Sequence, residues 1–234
     1  MILVRPVSTL ELCTTTSKLK IPREMRAQSK KSKSRVLVSL GYSLIVTADQ
    51  IIGGFYMKEK QVLVIGYSSD HCTQHAYKLA YEVGKEIALQ GSILITGGLG
   101  GVMEAASKGA KNQGGLVVGI IPQDEKRYAN AFCDVVISTG LGHSRNFVTA
   151  YSADAVIVIG GGIGTAIEAG VAYQKGKPII AMKGSGGTAD EIGGKYLDDR
   201  QVVKIMEEKD PRTAVEKITR TLTNLFIKEE KGME

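Results

Sequence analysis

Two charged residues, Arg145 and Glu168, stand on either side of one predicted strand. Arg145 opens the helix before that strand and Glu168 lies in the first turn of the helix after it, so both can reach one cleft. A carboxylate stabilises positive charge on a sugar carbon and positions water, and a guanidinium holds a phosphate or hydroxyl group. Taken singly, Glu168 is equally explained as a favourable charge at a helix N-terminus, and Arg145 as a solvated charge.

Glycine-rich loops follow four predicted strands, at 66–69, 97–101, 160–165 and 184–187. The chain has 28 glycines in 234 residues, where a share of about 7% is usual. Glycines let backbone N–H groups surround an anion at a helix N-terminus, and Thr165 adds a hydroxyl donor. One such loop often only shapes a tight turn, but two at successive strand ends favour a phosphate or nucleotide site. The glycines predicted to contact the ligand are Gly66, Gly97, Gly98, Gly100, Gly101, Gly161, Gly162 and Gly164.

Two common nucleotide-binding motifs fail in this sequence. A Walker A motif requires G-x-x-x-x-G-K-[ST], but Ala189 replaces its first glycine and Tyr196 its Ser/Thr around the Gly-Gly-Lys at 193–195. The dinucleotide motif G-x-G-x-x-G also fails, since Met103 and Ile167 stand where its last glycine belongs. The sequence therefore supports neither a P-loop NTPase nor an ordinary NAD-binding domain.

Apolar strands alternate with amphipathic helices from residue 61 onward. This alternation predicts an α/β fold: a single doubly wound, mostly parallel Rossmann-like sheet with helices on both faces. Ligands of such sheets bind beyond the carboxyl ends of the strands, at a switch in strand order. The glycine-rich segment 184–194 is interpreted either as a mobile lid or as a long surface loop. Predicted strands are 61–67, 92–96, 116–121, 135–138, 155–159, 178–182 and 202–205, and predicted helices are 73–89, 102–112, 143–152, 166–174 and 211–226.

The N-terminal segment differs from the rest of the chain. Residues 1–59 contain 10 Lys or Arg and 4 Asp or Glu, whereas residues 60–234 contain 20 of each. The basic character therefore does not indicate nucleic-acid binding by the folded body. Three explanations remain open: a start assigned upstream of a true start at Met57, a flexible basic arm, or a targeting peptide. We expect residues 1–56 to lie outside the fold and residues 57–234 to form the ligand-binding domain.

Composition excludes several other classes of protein. Hydrophobic residues make up 43% and charged residues 23% of the chain, which excludes global disorder. The apolar runs are shorter than the roughly 18–20 residues of a membrane helix. The three scattered cysteines argue against a disulfide framework and predict a cytoplasmic protein. His71, Cys72 and His75 have the chemistry of metal ligands, but they lack a fourth ligand nearby, so we predict no metal site.

An ordered set of motifs between about residues 60 and 182 resembles the LOG family of cytokinin-activating phosphoribohydrolases. The motifs are GGLGGVMEAA, GIIP, Arg145 and GGIGTAIE. The family belongs to a Rossmann-like superfamily that also includes the DNA-processing protein DprA and molybdenum-cofactor carrier proteins. The resemblance implies that Arg145 and Glu168 are the arginine and the glutamate of the family's active site. It also implies that Gly161, Gly162, Gly164 and Thr165 bind phosphate, and that Ser68 and Ser69 belong to the turn after the first strand.

Two departures from the family pattern resemble its carrier-like branch. Gly160 stands in place of the motif's proline, and Asn146 follows the arginine where the hydrolases usually have lysine. The resemblance therefore implies binding of a nucleotide or a phosphate-bearing cofactor, such as a nucleoside monophosphate or the molybdenum cofactor. The alternative is a phosphoribohydrolase of nucleoside 5′-monophosphates that requires no cofactor.

The same resemblance bears on the partners of the chain. It implies a homodimer or homotetramer that binds a small phosphate-bearing ligand and no membrane. Binding of single-stranded DNA, as in DprA, is disfavoured because the body is neutral and the chain has only four phenylalanines to stack on bases.

Overall fold

The computed structural model describes residues 51–52, 55–56 and 59–230. Two short strands, Ile51–Ile52 and Phe55–Tyr56, pair in antiparallel fashion in a separate unit of the chain. The rest of the predicted N-terminal extension, residues 1–56, lies outside the described residues, and so do the alternatives for its origin.

Residues 61–230 form seven strands and six α-helices, which alternate along the chain as predicted. The strands are β1 Gln61–Gly66, β2 Ile93–Thr96, β3 Val117–Ile121, β4 Val135–Ser138, β5 Ala155–Ile159, β6 Ile179–Met182 and β7 Met206–Glu208. The helices are α1 Gln74–Leu89, α2 Val102–Asn112, α3 Arg145–Ser152, α4 Ile163–Gln174, α5 Gly187–Ile192 and α6 Pro211–Glu230. Single 3-10 turns lie at Ser69–His71, Lys126–Tyr128 and Gly142–Ser144.

All seven strands are parallel and lie in the order β4-β3-β2-β1-β5-β6-β7. The chain runs outward from β1 to β4, returns to the other side of β1, and runs outward again from β5. This order confirms the doubly wound Rossmann-like sheet, and it places the switch in strand order between β1 and β5. A ligand site is expected where the loops after these two strands separate.

Helices cover both faces of the sheet, which explains why its central strands are continuously apolar. Val62 and Val64 of β1 face a core formed with α1, α2 and α6. Leu63 and Ile65 of the same strand face a second core, formed with α4 and α5. Every residue of β5 is buried. Because successive side chains of a strand point to opposite faces of the sheet, β1 contributes to two separate hydrophobic cores.

Three predicted elements differ from the structure. The last strand is Met206–Glu208 rather than 202–205, because Val202 is exposed and this edge strand is held by ion pairs of Glu207 and Glu208. The predicted loop or lid at 184–194 contains helix α5, which is held against the loop after β5. Helix α4 begins at Ile163 rather than at residue 166.

Within residues 59–230, none of the helices is long and apolar enough to cross a membrane. The longest, α6, begins where the sequence predicts, because Asp210 accepts a hydrogen bond from the Thr213 backbone N–H at 2.8 Å. Pro211 occupies the first position of this helix, where its missing N–H costs nothing.

Candidate functional site

A cleft of about 480 Å³ opens at the carboxyl edge of the sheet, at the switch between β1 and β5. Its walls are the loop after β1, the loop after β2, the start of α3 and the start of α4. The glycine-rich loops predict a site at this edge of the sheet, and the strand order of the structure places the switch between β1 and β5. The lining residues are Val64, Ile65, Gly66, Tyr67, Ser68, His71, Gly97, Leu99, Met103, His143, Arg145, Asn146, Gly162, Ile163, Gly164, Thr165 and Glu168.

The N-terminus of α4 points unused hydrogen-bond donors at this cleft. The first intrahelical bond runs from the Ala166 N–H to the carbonyl of Gly162 at 3.0 Å. The N–H groups of Ile163, Gly164 and Thr165 therefore have no acceptor within their own helix. A Cβ built on Gly162 would meet no atom within 4 Å. This end of the helix is open to an anion, and the helix dipole favours a negative charge there.

A short helix behind the loop holds it in place. The Ser185 hydroxyl accepts the Gly160 N–H at 2.8 Å and lies 2.5 Å from the Met182 carbonyl, to which it donates. The Thr188 hydroxyl donates to the carbonyl of Gly162 at 3.0 Å. Ser185 and Thr188 are both buried. These positioning residues are not among the predicted site residues, although a serine and a threonine among glycines after β6 signal such backbone contacts.

Arg145 lies buried in the wall of the cleft, with 7% of its surface exposed. It is the first residue of α3, as predicted, and a Cβ on Gly97 would overlap its guanidinium. Its Nε is buried and has no hydrogen-bond partner among the described residues. Burial lowers the pKa of Arg145, and the neighbouring Glu168 opposes this. A buried guanidinium with an unused donor beside an open cleft can bind an anionic or polar ligand.

Glu168 faces the same cleft and is 8% exposed. Its Oε1 accepts the Thr149 hydroxyl at 2.7 Å. Burial raises the pKa of the Glu168 carboxyl, and this outweighs the lowering by the Thr149 hydrogen bond and by the charge of Arg145. Because α4 begins at Ile163, Glu168 lies in the second turn of the helix, and its predicted place in the first turn is wrong. Its interaction with the helix N-terminus is correspondingly weaker.

Thr165 contributes differently from the sequence expectation. Its hydroxyl donates to the carbonyl of Gly66 at 3.1 Å, which ties the end of β1 to the start of α4. The hydroxyl proton is therefore engaged within the protein, and the backbone N–H of Thr165 is the donor left for a ligand. The side chain fixes the distance between two walls of the cleft.

The structure brings most of the predicted site residues together. Eight line the cleft, and five belong to the same loops without lining it: Ser69, Gly98, Gly100, Gly101 and Gly161. The last five build the loops, as shown by the Gly98 N–H, which donates to the Thr96 hydroxyl at 3.1 Å, and by the Gly161 carbonyl, which accepts from the Thr188 N–H at 2.9 Å. The lining residues among the predicted set are Gly66, Ser68, Gly97, Arg145, Gly162, Gly164, Thr165 and Glu168.

The two departures from the LOG pattern have structural counterparts. Gly160 has a φ of +60°, which proline cannot adopt, and the ring of Tyr67 fills the space where a Cβ would be. The amide Nδ2 of Asn146 lies 3.5 Å from the carbonyl of Gly164. Asn146 therefore contacts the glycine loop without adding a positive charge to the cleft.

Several cleft residues were not predicted as ligand contacts. Tyr67 and His71 line one wall, and Ile163 is 81% exposed at the mouth. An apolar side chain at the first position of a helix in a glycine loop is the signal that could have identified Ile163. Within residues 59–230, His71, Cys72 and His75 do not belong to any group of three or more side chains arranged to hold a metal ion.

Comparison with known proteins identifies the class of fold and then the family. The model of the SLOG cluster4 family matches residues 59–225, and the chain belongs to this family. An uncharacterized protein from Archaeoglobus fulgidus is 48% identical over 127 residues, which cover 54% of this chain and 82% of that protein. The match to the SLOG cluster4 model confirms the resemblance to the LOG-like superfamily.

Solved structures agree with this assignment. The chain is similar to TM1055 (40% identity, TM-score 0.64, 69% of this chain and 99% of that chain). It is similar to the molybdenum cofactor binding protein of Rippkaea orientalis, with 32% identity and a TM-score of 0.63 over 71% of this chain and 99% of that chain. It is also similar to the molybdenum cofactor carrier protein of Chlamydomonas reinhardtii, with 30% identity and a TM-score of 0.62 over 70% of this chain and 99% of that chain. The DNA processing protein A of Helicobacter pylori, at 16% identity and a TM-score of 0.52 over 69% of this chain and 81% of that chain, shares the fold.

Proposed function

We propose that this chain binds a nucleotide or a phosphate-bearing cofactor, such as a nucleoside monophosphate or the molybdenum cofactor. The phosphate lies at the N-terminus of α4, where it accepts from the N–H groups of residues 163–165. Arg145 donates to the same ligand. The names of the Rippkaea and Chlamydomonas proteins favour a molybdenum cofactor as the ligand.

One observation carries this proposal. The Arg145 guanidinium is buried with an unpartnered Nε, and it borders the same cleft as the open N-terminus of α4. A buried guanidinium N–H without an acceptor is costly even beside Glu168, and a ligand that accepts from it removes that cost. The cleft is also of the size usual for small-molecule sites, which span about 300–1,000 Å³.

Calorimetric titration of the protein with inorganic phosphate, ribose 5-phosphate and a panel of nucleoside monophosphates tests the proposal. Replacing Arg145 with Gln removes a charged hydrogen bond worth about 1.5–3 kcal/mol, so binding should weaken about 10- to 150-fold. Arg127→Gln is the matched control, because Arg127 is exposed and lies outside the cleft. Equal affinities in the two variants contradict the proposal. Extraction of a fluorescent pterin from the purified protein would identify the molybdenum cofactor as the ligand.

The second candidate function is hydrolysis of the N-glycosidic bond of a nucleoside 5′-monophosphate. It is favoured by the position of Glu168, whose carboxyl lies in the same cleft as the proposed phosphate site. Water would form a bond to the anomeric carbon while the carbon–nitrogen bond breaks and the base leaves with a proton. Glu168 would stabilise the developing positive charge, and Arg145 would hold the ribose or the phosphate.

Chromatography of the reaction products separates the two candidates. A phosphoribohydrolase releases free base and ribose 5-phosphate, and Glu168→Gln abolishes that release. Glu191→Gln, at an exposed position, serves as the control. Tight binding without release of base rejects the hydrolase and leaves a binding protein.

Self-association is the remaining part of the proposal. Phe147 and Tyr151 on α3, and Ile163 and Ile167 on α4, are exposed apolar side chains on two helices that pack together. We propose that this surface forms the contact of a homodimer or homotetramer. Light scattering should give a multiple of the 25.0 kDa mass of the chain, and Phe147→Asp should lower it. A monomeric wild-type protein contradicts this part alone.

A further inference from the structure

A second cavity lies beside the cleft, and nothing so far assigns a role to it. Its volume is about 340 Å³. It shares four lining residues with the cleft, so the two cavities are neighbours on either side of Arg145. We call this cavity the side chamber. The shared residues are Leu99, His143, Arg145 and Asn146, and Pro122, Gln123 and Gly142 complete the lining.

Gln123 lines the side chamber and has an unused hydrogen-bonding group. Its Oε1 is buried and has no hydrogen-bond partner among the described residues. Its backbone is nevertheless fixed, since the Gln123 carbonyl accepts the Gly140 N–H at 3.1 Å. The Pro122 carbonyl likewise accepts the Gly142 N–H at 3.1 Å. A buried acceptor without a donor destabilises the protein until a ligand supplies one.

The remaining lining suits a flat ring. Leu99 and Pro122 offer apolar surface, and the planar guanidinium of Arg145 can stack on an aromatic ring. A side-chain amide presents a donor next to an acceptor, and it pairs with a ring edge that carries the complementary two groups. Purines and pterins both have such edges. Arg145 also borders the proposed phosphate site, so one ligand can extend from the N-terminus of α4 into the side chamber.

We infer that the side chamber binds the fused-ring heterocycle of the phosphate-bearing ligand, and that Gln123 recognises the edge of that ring. Gln123 is therefore the residue that distinguishes a ring-bearing ligand from a simple sugar phosphate. The inference rests on the proposed function, because it assumes that the phosphate of the ligand lies at the start of α4.

Titration of the full chain tests this with four probes: ribose 5-phosphate, AMP, GMP and 6-hydroxymethylpterin monophosphate. At least one ring-bearing probe should bind about tenfold or more tightly than ribose 5-phosphate. Gln123→Leu should reduce that probe to the affinity of ribose 5-phosphate, while the affinity for ribose 5-phosphate itself stays unchanged. Gln113→Leu, at an exposed position at the end of α2, is the matched control and should change neither.

The possible outcomes distinguish a failure of the side-chamber inference from a failure of the proposed function. If ribose 5-phosphate binds but the ring adds no affinity, or if the preference for the ring survives in Gln123→Leu, the inference about the side chamber is overturned and the phosphate site stands. If none of the probes binds, the proposed function fails and the inference with it. Should Gln123→Leu fold poorly, as judged by its unfolding midpoint, Gln123→Met takes its place with the same expected result, because it keeps the length of the side chain but loses the amide.

Discussion

At the scale of single residues, the contacts of Glu168 depend on one shared proton. The Thr149 hydroxyl lies within hydrogen-bonding distance of Glu168 Oε1 at 2.7 Å and of the Asn146 carbonyl at 2.9 Å. A hydroxyl donates only once. When Thr149 donates to Glu168, the carboxylate can be ionised. When Thr149 donates to Asn146, Glu168 must itself carry the proton and donate to Thr149.

This arrangement predicts how stability depends on pH. The pKa of Glu168 is raised above its ordinary value of 4.5, chiefly by burial. The folded state therefore binds a proton that the unfolded state has lost, and the resulting stability is fully present below the ordinary pKa and is lost as pH rises through the raised value. Because the amide introduced by Glu168→Gln cannot titrate, we expect the free energy of unfolding of the wild type to fall, relative to that variant, as pH increases from below 4.5 through the raised pKa.

Urea unfolding at several pH values measures this difference directly. The comparison cancels every contribution that the two proteins share. Glu191→Gln is the control, and its difference from the wild type should not show this trend. Parallel stability curves for the wild type and Glu168→Gln would mean that the pKa of this carboxyl does not change on folding.

At the scale of elements, two glycines set the contact between α1 and α2. A Cβ on Gly84 would run into the backbone of Ala106, and a Cβ on Gly109 into the backbone of Tyr81. The two helices therefore meet backbone to backbone at these points. Helix α2 starts directly after the loop 97–101, so its position fixes that wall of the cleft.

A matched pair of substitutions tests this packing. Gly84→Ala should lower the free energy of unfolding by about 1–3 kcal/mol, because the backbone of α2 cannot move out of the way without cost. Gly170→Ala, in α4, should raise it by about 0.5–1 kcal/mol, since nothing lies within 4 Å of its Cβ and alanine is the better helix former. Denaturant unfolding measures both. Stabilisation by both substitutions would show that the two helices can separate freely.

The elements also show what the sequence can and cannot predict. Strands with buried residues on both faces, such as β5, are visible as continuous apolar runs, and their bounds agree with the prediction. Helix α5 is invisible to such patterns because its stability comes from hydrogen bonds to the loop after β5. The edge strand β7 has the sequence Met-Glu-Glu and is defined by its neighbour and its ion pairs.

In the candidate site, too, features fixed by local sequence are predictable and features fixed by contacts between distant segments are not. The motif around Gly162 and the position of Arg145 predict which loops meet, because both depend on local sequence. The use of the Thr165 hydroxyl and the unpaired Oε1 of Gln123 depend on contacts between distant segments. The sequence therefore predicts the location of the candidate site better than it predicts which groups remain free to bind a ligand.

At the scale of the whole molecule, every element that lines the cleft belongs to residues 59–230. The excess positive charge of the chain lies outside this region, since residues 57–234 contain 21 Lys or Arg and 21 Asp or Glu. We therefore expect ligand binding and attraction to polyanions to be carried by different parts of the sequence. We infer that residues 57–234 are sufficient for the fold and for the ligand site.

A chain trimmed to residues 57–234 separates these two properties. Its unfolding midpoint should stay within about 2 °C of the full chain, which corresponds to less than about 1 kcal/mol, and its affinity for the phosphate-bearing ligand should be unchanged. Its retention on a heparin column should fall sharply, because the net charge of +6 has been removed with residues 1–56. A trimmed chain that loses the ligand would show that the N-terminal segment contributes to ligand binding. A trimmed chain that still binds heparin as tightly as the full chain would show that a basic patch on residues 57–234 binds it.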